Sequence, residues 1–164
     1  RNNKCNVELL LVGKIHPEFK HKFHQLISSS EFKDQIQIVG MIPYTRILQY
    51  YSRMDVSFIL YDSSLQYKNI TPTKLYEAMA SKIPVVMTNI GDTQTIVNKS
   101  KCGYIVDREN FKLLFDKTYT LIQKPELRRK LGINGFNYAQ KHFRWEIMEQ
   151  RLIDQYRDLF NNDH

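Results

Sequence analysis

Cysteine is nearly missing: the 164 residues hold only Cys5 and Cys102, far apart in the chain. Two such residues make no disulfide framework, and their scarcity points to a reducing, cytoplasmic setting. Long apolar runs are missing as well. No stretch approaches the ~18–20 apolar residues of a membrane span, and no signal-peptide pattern opens the chain. There is no Walker A loop and no Gly-x-Gly-x-x-Gly, so neither a P-loop nor an ordinary dinucleotide site is indicated. No Cys/His spacing points to zinc, and no paired aspartates point to a metal-held diphosphate. No Gly-x-Ser-x-Gly elbow marks a hydrolase. Internal repeats and low-complexity tracts are also absent.

What remains is ordinary for one globular domain. Apolar residues make up 42% and charged residues 25%, enough for a packed core and too apolar for disorder. The formal charge of +7 is compatible with nucleic acid, anionic lipid or phosphorylated small molecules. The basic residues are interleaved with acids, which argues against nucleic acid and leaves a peripheral membrane contact open. The densest cluster, Arg128-Arg129-Lys130, falls on an expected helix and reads as a solvated face. Arg1 is not an initiator methionine, and the first expected strand begins within a few residues, as in a piece of a longer protein.

Hydrophobic periodicity predicts five strands, at about residues 7–12, 36–39, 56–60, 85–87 and 104–106. Helices are expected between them, at about 17–29, 45–53, 72–80 and 91–98. Three more follow, at about 110–123, 125–142 and 145–160. The last two close the domain, wrapping back over the sheet or reaching a neighbouring domain. Strand–helix alternation implies an α/β fold: an open parallel sheet with helices on both faces, Rossmann-like, in a single domain over residues 1–164. A phosphoacceptor receiver domain shares the alternation but needs acidic residues after its first strand, where this chain has Val12-Gly13-Lys14. Ligands of such sheets sit outside the carboxyl ends of the strands. Those ends are Gly13-Lys14, Gly40-Met41, the loop 61–71, Thr88-Asn89 and Asp107.

One stretch, residues 69–87, packs a loop, a helix and a buried strand together. Thr71 is placed to cap the helix and Pro72 to begin it. Leu75, Ala78 and Met79 mark one apolar face, and Val85-Val86-Met87 suits a strand covered on both sides. The helix start, with unpaired N–H groups and a positive dipole end, favours an anion. Glu77 lies roughly 9 Å beyond Thr71 at 1.5 Å per residue. A carboxylate there would bind something attached to that anion.

Four segments, in this order, resemble the group 1 glycosyltransferase family. They are Val12-Gly13, then Ile38-Val39-Gly40-Met41-Ile42-Pro43 followed by a helix ending Tyr50-Tyr51-Ser52, then Met54-Asp55-Val56, and then residues 72–86. Gly91, Ile96-Val97 and Cys102-Gly103 follow in the family's order. The resemblance implies the C-terminal, donor-binding domain of a retaining enzyme with two Rossmann-like domains, the GT-B type. Such a domain binds a nucleoside-diphosphate sugar, and the enzyme transfers a hexose to a glycan or lipid-linked acceptor without metal or other cofactor.

By the same resemblance, Glu77 holds the ribose hydroxyls, as a two-oxygen acceptor suits a diol. The family's first glutamate falls at Asn69, where an amide supplies no negative charge to a developing cationic sugar. The backbone N–H groups of Ile70, Thr71 and Thr73 are diphosphate contacts, with Lys74 as electrostatic help. Gly13 and Gly40 let base and ribose approach the backbone. The family's domain opens with one further strand–helix unit carrying an Arg and a Lys for the phosphates. On this comparison the chain starts after it, Lys14 or Lys68 substitutes, and the N-terminal acceptor domain lies outside. The isolated chain is then inactive, and the enzyme is expected in the cytoplasm or at the inner face of the membrane. Two alternatives follow from the departures: a non-catalytic nucleotide-sugar-binding module or degenerate subunit, and a sugar-nucleotide epimerase-like domain.

Overall fold

The computed structural model describes residues 7–62, 67 and 69–161. Cys5 and Lys68, named above, lie outside the described residues. The chain divides into two compact units, Arg1–Ile47 and Leu48–His164. The expected α/β character with parallel strands is present. Among the described residues the strands form a pair and a trio rather than one hydrogen-bonded ladder of five.

The first unit is a β-α-β segment. β1 (Leu9–Val12) pairs with β2 (Ile36–Gly40), with Leu9 opposite Ile36 and a register shift between Leu11 and Val12. α1 (Pro17–Ser28) joins them, with Pro17 in the first turn, where its missing N–H costs nothing. The nearly continuous apolar run at residues 7–12 suggests a central strand, yet no residue of β1 is fully buried. Leu9 and Ile38 are exposed, and so are Phe19 and Leu26 of α1. A two-stranded sheet with one helix has a layer on only one of its faces.

α2 (Ile47–Tyr51) follows a 3₁₀ turn at Tyr44–Arg46 and lies at the start of the second unit, which runs from Leu48. β3 (Ser57–Ile59), β4 (Val85–Thr88) and β5 (Gly103–Val106) run parallel, with β4 in the middle. All four β4 residues are buried, as an unbroken apolar run requires. α3 (Thr73–Ala80) buries Leu75, Ala78 and Met79. α4 (Thr93–Ser100) leads to β5. Val86 and Val106 pack with Leu121 of α5 (Phe111–Gln123) and Leu131 of α6 (Pro125–His142). Asn110 caps α5, its side chain accepting from the Leu113 N–H at 2.9 Å.

Two details clamp α6 to the rest of this unit. Gly132 sits against the turn after α3, where a Cβ would collide with the Lys82 carbonyl. Lys82 takes the left-handed conformation (φ 59°) that ends a helix, and its Nζ lies 4.7 Å from the centre of the Phe136 ring. Arg128 departs from the solvated-face reading. Its guanidinium donates to the carbonyls of Leu121 at 2.7 Å and Ile122 at 3.0 Å, and meets Asp55 at 3.1 Å. It thereby satisfies carbonyls that the end of α5 leaves without helical partners. Arg129 pairs with Glu126 at the surface.

The last helix, α7 (Trp145–Asn161), forms as its periodicity predicts. Its row Trp145, Met148, Leu152, Ile153, Tyr156 and Phe160 is exposed throughout. No helix among the described residues is long and apolar enough to cross a membrane.

Arg128→Ala strands the last carbonyls of α5, at a cost of about 1–3 kcal/mol. Differential scanning calorimetry is expected to show a thermal midpoint several degrees lower. Cys102 is fully buried, and burial pushes its thiol pKa up. Iodoacetamide at neutral pH should leave Cys102 unmodified in the native chain and alkylate it in denaturant, read by peptide mass spectrometry.

Candidate functional site

α3 starts one residue later than expected from a cap at Thr71. Pro72 occupies the cap position (φ −63°, ψ 132°), and no side chain caps the helix. The extended ψ at Pro72 postpones the turn, so Thr71 stands one residue too early to reach the first N–H groups. The Thr71 hydroxyl is engaged with Tyr76 instead. The Leu75 N–H reaches the Pro72 carbonyl at 3.0 Å. Thr73 and Lys74 are the first two helical residues, and such positions have no intrahelical carbonyl to bond. An uncapped helix start of this kind is suited to an anion.

The loop ahead of the helix is held from the side. Gly91 (φ 48°) abuts the backbone of Ile70, and a Cβ there would run into the Ile70 carbonyl. The Gly91 loop is itself pinned by the buried Thr93 hydroxyl, which accepts from the Ile90 N–H at 2.9 Å and donates to the Ile90 carbonyl at 2.6 Å. The Ile70 N–H donates to the Tyr67 carbonyl at 3.3 Å, so it serves the loop itself. Asn69 is exposed, in a turn.

Glu77 is half-buried and stands about 6 Å along the helix from Thr73. The Tyr51 hydroxyl donates to Glu77 Oε2 at 3.1 Å and lies 3.4 Å from the Lys74 carbonyl. Tyr51 is 4% exposed. Sequence reasoning placed it only at the end of a helix and gave it no role at the site. The available signal was its type: a buried tyrosine hydroxyl needs a partner. Lys74 Nζ donates to the Tyr61 hydroxyl at 3.2 Å and lies 5.6 Å from the ring centre. Tyr61 in turn packs edge-on against Tyr67 at 4.9 Å. Burial pushes the Tyr76 phenol pKa up; the Thr71 hydrogen bond opposes this and the Asp92 carboxylate adds to it.

The second unit thus brings residues 69–71, 73, 74 and 77 into one neighbourhood at the start of α3. Gly13, Lys14 and Gly40 gather at the carboxyl ends of β1 and β2 in the first unit. There the Gly13 N–H donates to the Gly40 carbonyl at 2.9 Å, and both glycines have positive φ (138° and 76°). Lys14 is exposed.

The chain is similar in sequence and fold to known proteins. The sequence model for glycosyl transferases group 1 matches residues 1–138. Capsular polysaccharide biosynthesis glycosyltransferase CapM of Staphylococcus aureus is 27% identical over 155 residues, covering 92% of this chain and 38% of CapM. The chain spans well under half the length of the curated relatives it matches. The C-terminal domain of LpcC, a group 1 protein from Francisella tularensis, superposes with a TM-score of 0.70 at 25% identity, over 84% of this chain and 70% of that one. Anabaena Alr3699/HepE, solved with UDP, superposes with a TM-score of 0.79 at 18% identity, over 93% of this chain and 41% of that one. The matched length and the shared fold lead to one assignment: the chain belongs to the group 1 glycosyl transferases, as a C-terminal domain of the GT-B type.

Proposed function

We propose that the chain binds a nucleoside-diphosphate sugar, as the donor-binding part of a retaining glycosyltransferase that moves a hexose to a glycan or lipid-linked acceptor. The observation that carries this reading is the uncapped start of α3, with a fixed carboxylate one turn behind it. The first-turn N–H groups of Thr73 and Lys74 take the diphosphate, and the helix dipole favours its charge. As the glycosidic bond breaks, negative charge accumulates on the leaving diphosphate, and pre-aimed donors stabilise it without reorganising. The helix start takes that charge without a metal ion. Glu77 accepts from the ribose hydroxyls. Tyr51 holds Oε2 and so sets the plane of the carboxylate, leaving Oε1 directed by that plane.

UDP in the Alr3699/HepE structure and UDP-glucose in a second structure of that protein support the same ligand class. The acceptor belongs to another domain of the whole enzyme, in the cytoplasm or at the inner membrane face. Asn69 favours a second reading, a binding module without catalysis. It is an exposed turn residue with an uncharged amide, where the family resemblance expects a carboxylate.

A saturating nucleoside diphosphate (about 100 times Kd) is expected to raise the thermal midpoint by roughly 5–10 °C. The test is a scan with UDP, GDP and ADP; no shift with any of them would sink the reading. Glu77→Ala should abolish the gain. Tyr51→Phe removes the hydrogen bond to the carboxylate, and is expected to weaken nucleotide binding about five-fold. Isothermal titration would register that loss; unchanged affinity would remove Tyr51 from the site. Activity of the intact enzyme with and without Asn69→Asp separates the two readings: a large gain marks a degenerate site.

A further inference from the structure

α6 lies along α3 and touches it at three successive levels. Gly132 meets the Lys82 turn behind α3. Gly135 lies against Met79, and a Cβ there would press on the Cys102 side chain. Phe143, which ends α6, packs edge-on against the Tyr76 ring, with centroids 4.8 Å apart and planes at 77°. Positions on α6 rise as those on α3 fall, so the two helices run antiparallel. The end of α6 therefore comes to the first turn of α3. Phe143 is backed by the Tyr138 ring at 5.6 Å, and Tyr138 stands 4.3 Å from the His142 ring. All four rings are half-buried. The place of the Tyr76 ring is thus set by the junction between α6 and α7.

Edge-on packing uses the ring alone, and a phenylalanine would serve it as well. The Tyr76 hydroxyl has a separate use: a hydrogen bond joins it to the Thr71 hydroxyl. No side chain caps α3, so Thr71 is free of that task. Gly91 bears on the loop at Ile70, and Tyr76 ties the next residue to α3. Asp92, which follows Gly91, acts on the Tyr76 phenol through its charge. We propose that Tyr76 is a positioning residue: its ring is fixed by Phe143 at the α6–α7 junction, and its hydroxyl sets Thr71 and the loop that leads to the diphosphate. This rests on the function proposed above. Tyr76 acts through Thr71 rather than on the ligand. A displaced loop costs contacts with the diphosphate and leaves those with the nucleoside.

The test compares the wild type, Tyr76→Phe, Thr71→Val and the double variant, each as the full chain. UDP, GDP and ADP are titrated by calorimetry, and uridine, guanosine and adenosine by amide chemical shift. Tyr76→Phe keeps the ring against Phe143. It is expected to weaken diphosphate binding about five-fold, the loss of one hydrogen bond, with nucleoside binding unchanged. Thr71→Val gives the same loss, and the double variant loses no more than either change alone, because both remove one bond. Thr71→Ser, which returns the hydroxyl, recovers the affinity. Phe143→Leu weakens diphosphate binding where Tyr76 keeps its hydroxyl and adds nothing to Tyr76→Phe. Equal losses for diphosphate and nucleoside mark Tyr76 as structural only and overturn the proposal. Unchanged diphosphate affinity, or losses that add in the double variant, overturn it too. Hydrogen exchange of the Ile70 amide, which the Tyr67 carbonyl protects, is read without ligand and is expected to quicken in Tyr76→Phe. If no diphosphate binds the wild type, the donor reading fails, while quickened exchange keeps the tie between Tyr76 and the loop. Unchanged exchange overturns the tie itself.

Discussion

An eight-residue helix cannot hold itself in water, where isolated helices shorter than about 12–15 residues are marginal. α3 persists because Leu75, Ala78 and Met79 are completely buried. Burying three such side chains contributes several kcal/mol in apolar area alone, on the order of 1.5–3 kcal/mol for each large one. Its ends are fixed by close backbone approaches rather than by caps. Gly91 lies against Ile70 ahead of the helix, and Gly132 lies against Lys82 behind it. A side-chain cap at the front would have filled the first-turn N–H groups. Holding the helix by its flank and its neighbours leaves those groups without a side-chain cap. The helix start is thus a consequence of how the core is packed.

The same economy governs charge around the helix. Lys74 is tied to Tyr61, and Glu77 is tied to Tyr51. Neither charge is paired with the other, although they are three residues apart on one helix. Tyrosine hydroxyls restrain both without neutralising either. On the proposed reading, a direct Lys–Glu pair would have competed with the ligand for both groups. Elsewhere Arg128 is drawn into the fold as a helix-end donor. The positive charge of the chain is therefore not a single surface, and part of it holds elements together.

How much of this was legible depended on the range of the interaction. β4 follows from Val85-Val86-Met87, because an apolar run of that length has few other uses. The buried face of α3 follows from the spacing of Leu75, Ala78 and Met79. The cap failed, because Thr71-Pro72 allows two helix starts and local chemistry does not choose between them. Packing against Gly91 holds the loop that includes Thr71, and nothing adjacent in sequence reports it. Tyr51 and Glu77 are 26 residues apart, and no periodicity connects them. The exposure of Leu9 and Ile38 was equally hidden: an apolar strand looks central whether or not a neighbour is there to cover it. Arg128 read as solvated because charge runs usually are, while its carbonyl partners lie six and seven residues earlier.

On the proposed reading, holding a nucleotide and breaking its sugar bond rest on different residues. Glu77 contacts a part of the ligand that does not change during reaction, so its contribution is equal in ground and transition states. Such binding improves occupancy and position without lowering the barrier further. Stabilising a developing cationic sugar needs a group whose interaction grows as charge appears, and an amide at position 69 offers only a dipole. The start of α3 does have that property, because charge grows on the diphosphate it faces. The geometry around α3 is therefore weighted toward leaving-group stabilisation. Rate would then depend on the departure of the diphosphate more than on support for the sugar.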